Sequence, residues 1–373
     1  MKSADYIIAF VISAALAFGI TLVIRKLALR RGIVDRPEFD RNRKIHTRPT
    51  PLLGGLAIYL AVLLVVVIYA TVCNKLLGGY LLSKHLLGVL IGGAIIMFGG
   101  YLDDRYRLSP AKQIIFPILA SLVIVGSGIG VDYLSNPLGN VIRLDTVKLE
   151  LFTWQGLPYS ITLFSDLFTV IWLMGMMYTT KFLDGLDGLS AGIATIGSLI
   201  IFCLSLTQTV AQPETALLAI IFVGAGAGFL LLNFNPAKIF LGEGGSVFVG
   251  FFLGVLSIIS GAKIATALLI MGIPILDTVW VILRRLFWEK RSIVSADKKH
   301  LHFRLLDIGL TQRQAVVFLY VLTAVFGFAG LLVTGKGKLI TLFILLAVMV
   351  VLALILVLTY RRKKSRALTE NIR

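Results

Sequence analysis

LITLFILLAVMVVLALILVLTY, residues 339–360, followed at once by RRKK at 361–364, decides what kind of protein this is. The run carries no charge and reaches the roughly 20 residues that a helix needs to cross a bilayer's hydrocarbon. Lipid offers no hydrogen bonds, so the backbone must satisfy itself and helix is the expected form. The basic cluster behind it marks an end retained on the cytoplasmic side.

The same grammar repeats upstream. Leu52 to Val72 is another run of this kind, and Tyr6 to Ile24 is followed by Arg25 and Lys26 rather than by a small-residue cleavage site, so it reads as a retained helix and not a signal peptide. Apolar runs bounded by charge, Gly or Pro predict spans near 5–24, 52–72, 85–101, 112–130, 160–180, 188–207, 214–232, 245–261, 263–288, 314–333 and 339–360. The expected fold class is therefore an all-α, polytopic membrane protein of about eleven transmembrane helices, one domain over 1–373. Its 15% charged residues fall well below the roughly 25% of globular chains.

The net charge of +17 raises nucleic acid as a partner, but its placement points to membrane topology instead. With the N-terminus outside and the C-terminus cytoplasmic, 28 of 36 Lys and Arg fall in the inner segments 25–51, 102–112, 181, 238, 284–313 and the tail. That is the bias of membrane orientation. Cys73 and Cys203 have no CxxC or Cys/His spacing and imply neither a disulfide framework nor zinc. The long outer loop 131–159 alternates at Val141–Leu144 and Val147–Leu151, which predicts a short hairpin. Pro274 is expected to kink or break the ninth helix, and Trp280 to Arg291 mixes aromatic and basic residues as an interfacial helix does.

Ionisable groups at membrane depth are costly and mark function. The polar clusters all fall at predicted cytoplasmic ends: Asp103 and Asp104 in GGYLDDRYRLSP, Asp184 and Asp187 in KFLDGLDGLSAG, Glu243 in NFNPAKIFLGEGGS, and His300 and His302 in SADKKHLHFRLLDIGL. The loop from Arg41 to His46, with Lys44, and Lys298-Lys299 join them. Adjacent carboxylates at 103 and 104 repel, which suits a general base, though a solvated helix-end turn accounts for the pair equally well. Asp184 and Asp187 would share one face of a helical turn, with Gly185 and Gly188 admitting a phosphate, or would simply cap a helix. Glu243 precedes a helix expected near Ser246, whose free N–H groups would hold an anion while the carboxylate holds a cation, though a plain capping turn accounts for it equally well. His300 and His302 lack a third zinc ligand, and taken alone read as solvated loop histidines. Acids and bases on four loops of one face predict a shared pocket for a polyanion, of the kind phosphoryl transfer uses.

These loops resemble the polyprenyl-phosphate N-acetylhexosamine-1-phosphate transferases, the family that starts enterobacterial common antigen, O-antigen and wall teichoic acid and includes the phospho-N-acetylmuramoyl-pentapeptide translocase. The resemblance rests on VDxP and RKxHxxPxPxxGG at 34–55, the aspartate pair at 103–104, DGLDGLxxG at 184–192, NFxPAKIFxGxxGS at 233–246 and ADKxHLHxRLLxxGLxQRQA at 296–315. It implies transfer of a sugar-1-phosphate, most like N-acetylglucosamine-1-phosphate, from a UDP-N-acetylhexosamine to undecaprenyl phosphate with release of UMP. The implied setting is the cytoplasmic face of a bacterial plasma membrane, with Mg²⁺ as cofactor, the bilayer as partner and a homodimer as a further expectation.

Carried over by position, the resemblance makes Asp103 the base for the lipid phosphate, or its nucleophile, with Asp104 assisting. Asp184 and Asp187 would line the nucleotide and metal region. Lys44, His46, Asn233, Lys298, His300, His302 and Arg304 would contact substrate, and Glu243 with Asp184 would hold the metal. Four positions in three motifs depart from the pattern. Tyr178 and Lys181 stand where NxxNxxDGxDG is usual, Glu243 stands for the Asp of GDxGS, and Phe303 for the last His of HxHH. Either Lys181 pairs with Glu243 and supplies charge that Mg²⁺ otherwise brings, or Glu243 still holds Mg²⁺ with Lys181 displaced; the remaining acids favour the second. The rival functions are the pentapeptide branch of the family, a lipid-phosphate transporter, which would need charges or broken helices within the spans, and a binding protein without turnover.

Overall fold

A computed structural model describes residues 1–36, 48–79, 81–134, 136, 139–154, 157–261, 264–290 and 299–370. Thirteen helices are found among them: α1 Ser3–Arg30, α2 Gly54–Val67, α3 Ser83–Tyr106, α4 Pro110–Gln113, α5 Ile115–Gly126, α6 Leu163–Leu183, α7 Leu189–Ser205, α8 Pro213–Asn233, α9 Gly242–Ile259, α10 Ile264–Leu283, α11 Leu301–Asp307, α12 Gln312–Leu332 and α13 Lys336–Glu370. Each of the eleven apolar runs falls on a helix. Nine helices among the described residues are long and apolar enough to cross a membrane; Pro110–Gly126 and Leu189–Ser205 are shorter. The α10 helix passes through Pro274 unbroken and ends in a π-helical turn, Arg284–Glu289, where Leu286, Phe287 and Trp288 are exposed.

Six short strands complete the fold: β1 Val34–Asp35, β2 Thr50–Pro51, β3 Tyr133–Leu134, β4 Ile142–Arg143, β5 Lys148–Trp154 and β6 Leu157–Thr162. The two alternating segments of the outer loop are strands, but they do not pair with each other. β4 pairs with β3, and β5 with β6. Alternation reports a strand's two faces and says nothing about its partner.

The post at the centre is α9, buried on every face from Gly244 to Ile259. Backbones close on it through glycine: a Cβ on Gly55 of α2 would strike the Gly245 backbone, and one on Gly100 of α3 would strike that of Gly244. Small residues are what let helices approach where lipid supplies no hydrophobic drive. The same device joins α8 to α1, where Gly224 and Gly228 lie against the carbonyls of Phe10 and Ala14. At the periphery α1, α12 and α13 turn Ile8, Val11, Val23, Val321, Val325, Leu354 and Leu358 outward, an apolar surface suited to lipid. Because the long helices alternate in direction, the carboxyl ends of α3, α6, α8 and α10 and the amino ends of α7, α9 and α12 share one end of the bundle.

Candidate active site

The site begins where α3 stops. Arg107, in the left-handed region at φ 54°, donates its N–H to the Asp103 carbonyl at 2.7 Å and ends the helix. The Asp103 side chain then organises the turn: Oδ1 accepts from the Leu108 N–H at 2.7 Å and from Gln113 Nε2 at 3.0 Å. Its Oδ2 has no partner among the described residues, and the residue is buried. Ser109-Pro110 starts α4, whose last residue is Gln113. Gln113 Oε1 in turn accepts from the Lys181 ammonium at 2.8 Å, and Lys181 pairs with Glu243 Oε2 at 3.0 Å. One continuous polar chain therefore links α3, α4, α6 and α9.

Asp104 faces the amino end of α9. Its Oδ1 accepts the Glu243 N–H at 3.1 Å, and its Oδ2 fills the space that a side chain on Gly242 would need. The helix starts at Gly242, four residues earlier than the sequence suggested, and its first turn serves the protein's own carboxylate. One of the N–H groups expected to hold an anion, that of Glu243, is therefore already engaged by Asp104.

The DGLDG stretch is a turn between α6 and α7, so Asp184 and Asp187 do not share a helical face as expected. Asp187 turns to the segment after α8, its Oδ2 accepting from Asn235 Nδ2 at 2.9 Å and from the Ala237 N–H at 3.0 Å. Asp184 makes no hydrogen bond or ion pair with the described residues. Desolvation by the surrounding protein, then the carboxylates of Glu243 and Asp187, pushes its carboxyl up to about 8. The residue keeps an open side toward solvent, so water screens part of that push. The glycines here admit protein rather than phosphate: Gly185 lies against the His302 ring, and Gly188 against Phe234 and Tyr320.

The histidines are buried, not solvated. His300 Nδ1 is 2.8 Å from Asp277 Oδ2, and Asp277 Oδ1 accepts the Leu301 N–H at 2.8 Å, so one carboxylate caps α11 and orients the ring. His300 stacks on Phe182 at 6.2 Å and on His302 at 5.6 Å. His302, against Phe303 at 4.3 Å, has no hydrogen bond to either ring nitrogen among the described residues. Burial pulls its pKa down to about 3, with the Asp277 charge opposing and His300 adding slightly. Arg304 Nε donates to the Lys299 carbonyl at 3.0 Å. Phe182 and Gly185, the neighbours of Lys181 and Asp184, touch the histidines, so the two sets lie side by side.

Asn233, expected against substrate, is turned inward, its amide donating to the Ile239 carbonyl at 2.9 Å to close the loop before α9. Lys44, His46 and Lys298 lie outside the described residues. β1 pairs with β2, and the Pro51 carbonyl accepts the Phe240 N–H at 2.8 Å beside α9. Sequence reasoning missed Gln113, Asn235 and Asp277. For Asp277 a signal was present, a lone acid inside an apolar run.

The donor set does not fit a divalent cation. Among the described residues no three His, Cys, Asp or Glu groups converge as ligands. Glu243, the carboxylate assigned to metal, is instead engaged by an ammonium that repels one. Lys181 is not displaced to the side.

Comparison with known proteins identifies the family. The model of glycosyl transferase family 4 matches residues 86–261, which hold the aspartate pair, DGLDG and Glu243. Over 94% of its length the chain is 30% identical to a probable undecaprenyl-phosphate N-acetylglucosaminyl 1-phosphate transferase of Bacillus subtilis, covering 90% of that protein. It is 34% identical to the decaprenyl-phosphate N-acetylglucosaminephosphotransferase of Mycolicibacterium smegmatis, covering 85% of this chain and 79% of the relative. The undecaprenyl-phosphate alpha-N-acetylglucosaminyl 1-phosphate transferase of Escherichia coli K12 is 29% identical over 83% of this chain and 78% of its own. The family match over residues 86–261 and relatives matched at 30% identity or more over most of their length place this chain in glycosyl transferase family 4, as a membrane-embedded glycosyl-1-phosphate transferase.

Proposed function

We propose that the chain transfers N-acetylglucosamine-1-phosphate from UDP-N-acetylglucosamine to undecaprenyl phosphate and releases UMP, the first membrane step of an envelope polysaccharide. All eleven apolar helices would span the membrane, with the N-terminus outside and the site on the cytoplasmic face. The concentration of Lys and Arg at the site's end of the bundle supports that orientation. The observation that carries the reading is the chain Asp103–Gln113–Lys181–Glu243 near Asp184, which has no partner among the described residues.

In this reading Asp103, held through Oδ1, uses Oδ2 to take the remaining proton of the lipid phosphate. The phosphate oxygen forms a bond to the sugar-bearing phosphorus. The bond from that phosphorus to the bridging oxygen breaks, and its electron pair leaves with UMP. Asp104, tied to the first turn of α9 through the Glu243 N–H, steadies the end of α3 that carries the base, while His300 and Arg304 serve the diphosphate. Lys44, His46 and Lys298 would supply further cations.

Purified protein given radiolabelled UDP-N-acetylglucosamine and undecaprenyl phosphate is expected to yield one organic-soluble lipid product per UMP. A second arm with decaprenyl phosphate tests the acceptor, since the relatives' names divide between the two polyprenols. Absence of lipid product with every UDP-N-acetylhexosamine would reject the reading; product only from the UDP-muramoyl-pentapeptide would favour the other branch.

A further inference from the structure

Two departures in the α6 sequence, Tyr178 and Lys181, turn out to be one unit. They are three apart, so they share a helix face, and the Lys181 ammonium lies 5.9 Å from the centre of the Tyr178 ring. The same ammonium is 3.0 Å from Glu243 Oε2 and 2.8 Å from Gln113 Oε1. An aromatic face, an amide oxygen and a carboxylate form a cradle for a single positive charge. Gln113 passes that contact on to Asp103, through its Nε2 and the Asp103 Oδ1 at 3.0 Å. The cation is partly open, its side chain 18% exposed beside a Glu243 at 36%, so an incoming phosphate can reach it.

Phosphoryl transfer demands a cation where negative charge collects on the leaving group. We propose that Lys181 is that cation: its ammonium, seated between Gln113, Glu243 and Tyr178, offsets the charge on the departing UMP phosphate in place of a divalent metal, and turnover needs no Mg²⁺. Balance is kept without a proton from lysine. The P–O bond to the lipid phosphate forms, the bridging P–O bond breaks, and the ammonium pairs with the new charge on UMP without being consumed. Glu243, one methylene longer than aspartate, reaches the ammonium, which makes the two substitutions parts of a single exchange.

The proposal rests on the transferase reading, and its test separates the two. The full chain in detergent is assayed in excess EDTA and in Mg²⁺, and metal binding is followed independently by the electron paramagnetic resonance of added Mn²⁺. The expected wild-type result is equal turnover in both buffers, within about twofold, with no stoichiometric Mn²⁺ site. Lys181→Asn is expected to lose about 100-fold in EDTA, the scale for removing one charge-stabilising donor. Lys181→Asn with Glu243→Asp is expected to gain a Mn²⁺ site, a readout that needs no activity. The proposal is overturned by wild-type turnover that stops in EDTA and returns with Mg²⁺, or by a wild-type Mn²⁺ site that Glu243→Gln removes. No lipid product in either buffer would fail the transferase reading alone, with Mn²⁺ binding still deciding the cation.

Discussion

The carboxylate half of the site and the histidine half are held by opposite means. On α3, α4, α6 and α9, charges meet charges and amides in one chain, from Asp103 through Gln113 and Lys181 to Glu243, on a floor of glycine-packed backbone. On α10 and α11 a single carboxylate, Asp277, fixes His300, while His302 is buried against Phe303 and Gly185 with no polar partner among the described residues. The first half places charge; the second places rings. Chemistry that moves negative charge depends most on the first, and binding geometry on the second.

The largest separation of the halves should come from Asp103→Asn. Losing the proposed base is expected to lower kcat by about 1,000-fold, within the range for general base catalysis, while the detergent melting temperature stays near wild type; a rate within tenfold of wild type would remove Asp103 from the chemistry. Stability should respond to the floor instead. Gly55→Val forces a side chain into the Gly245 backbone and is expected to cost about 3 kcal/mol, the upper range for overpacking, read as a lowered denaturation midpoint.

On the histidine side, Asp277→Asn keeps the shape but weakens the hold on His300. A misplaced ring is expected to reduce kcat/KM by about 100-fold, and the pH–rate profile should shift with it, which a purely structural loss would not produce. The smallest effect concerns His302. Its folded pKa of about 3 lies below the unfolded 6.5, so below pH 6.5 the unfolded chain binds the extra proton and stability falls with falling pH. Lowering pH from 7.5 to 5 is expected to remove about 2 kcal/mol. His302→Gln should flatten that dependence, and an unchanged slope would contradict the buried neutral ring.

Hydropathy made the helices legible, because lipid forces long uncharged runs, yet it could not rank them. The central place of α9 follows from Gly242, Gly244 and Gly245, whose packing role hydropathy does not show and which serve as close contacts with α2 and α3. The carboxylates and histidines were legible as motifs on loops. Gln113 was not, since a glutamine at the head of an apolar run looks like a boundary, and its value lies in reaching Asp103 and Lys181 at once. Asp277 was overlooked because its run was read for length rather than for the one acid inside it. Asn233 misled for the reverse reason: a motif residue can serve the loop and not the ligand.

Photolabelling with an azido-uridine analogue of UDP-N-acetylglucosamine, followed by peptide mapping, tests most directly whether these two halves bind one nucleotide. Labels on both the 184–192 and the 299–307 segments, each suppressed by unlabelled UDP-N-acetylglucosamine, are predicted. Label confined to one segment, with the other unprotected at saturation, would contradict a common site.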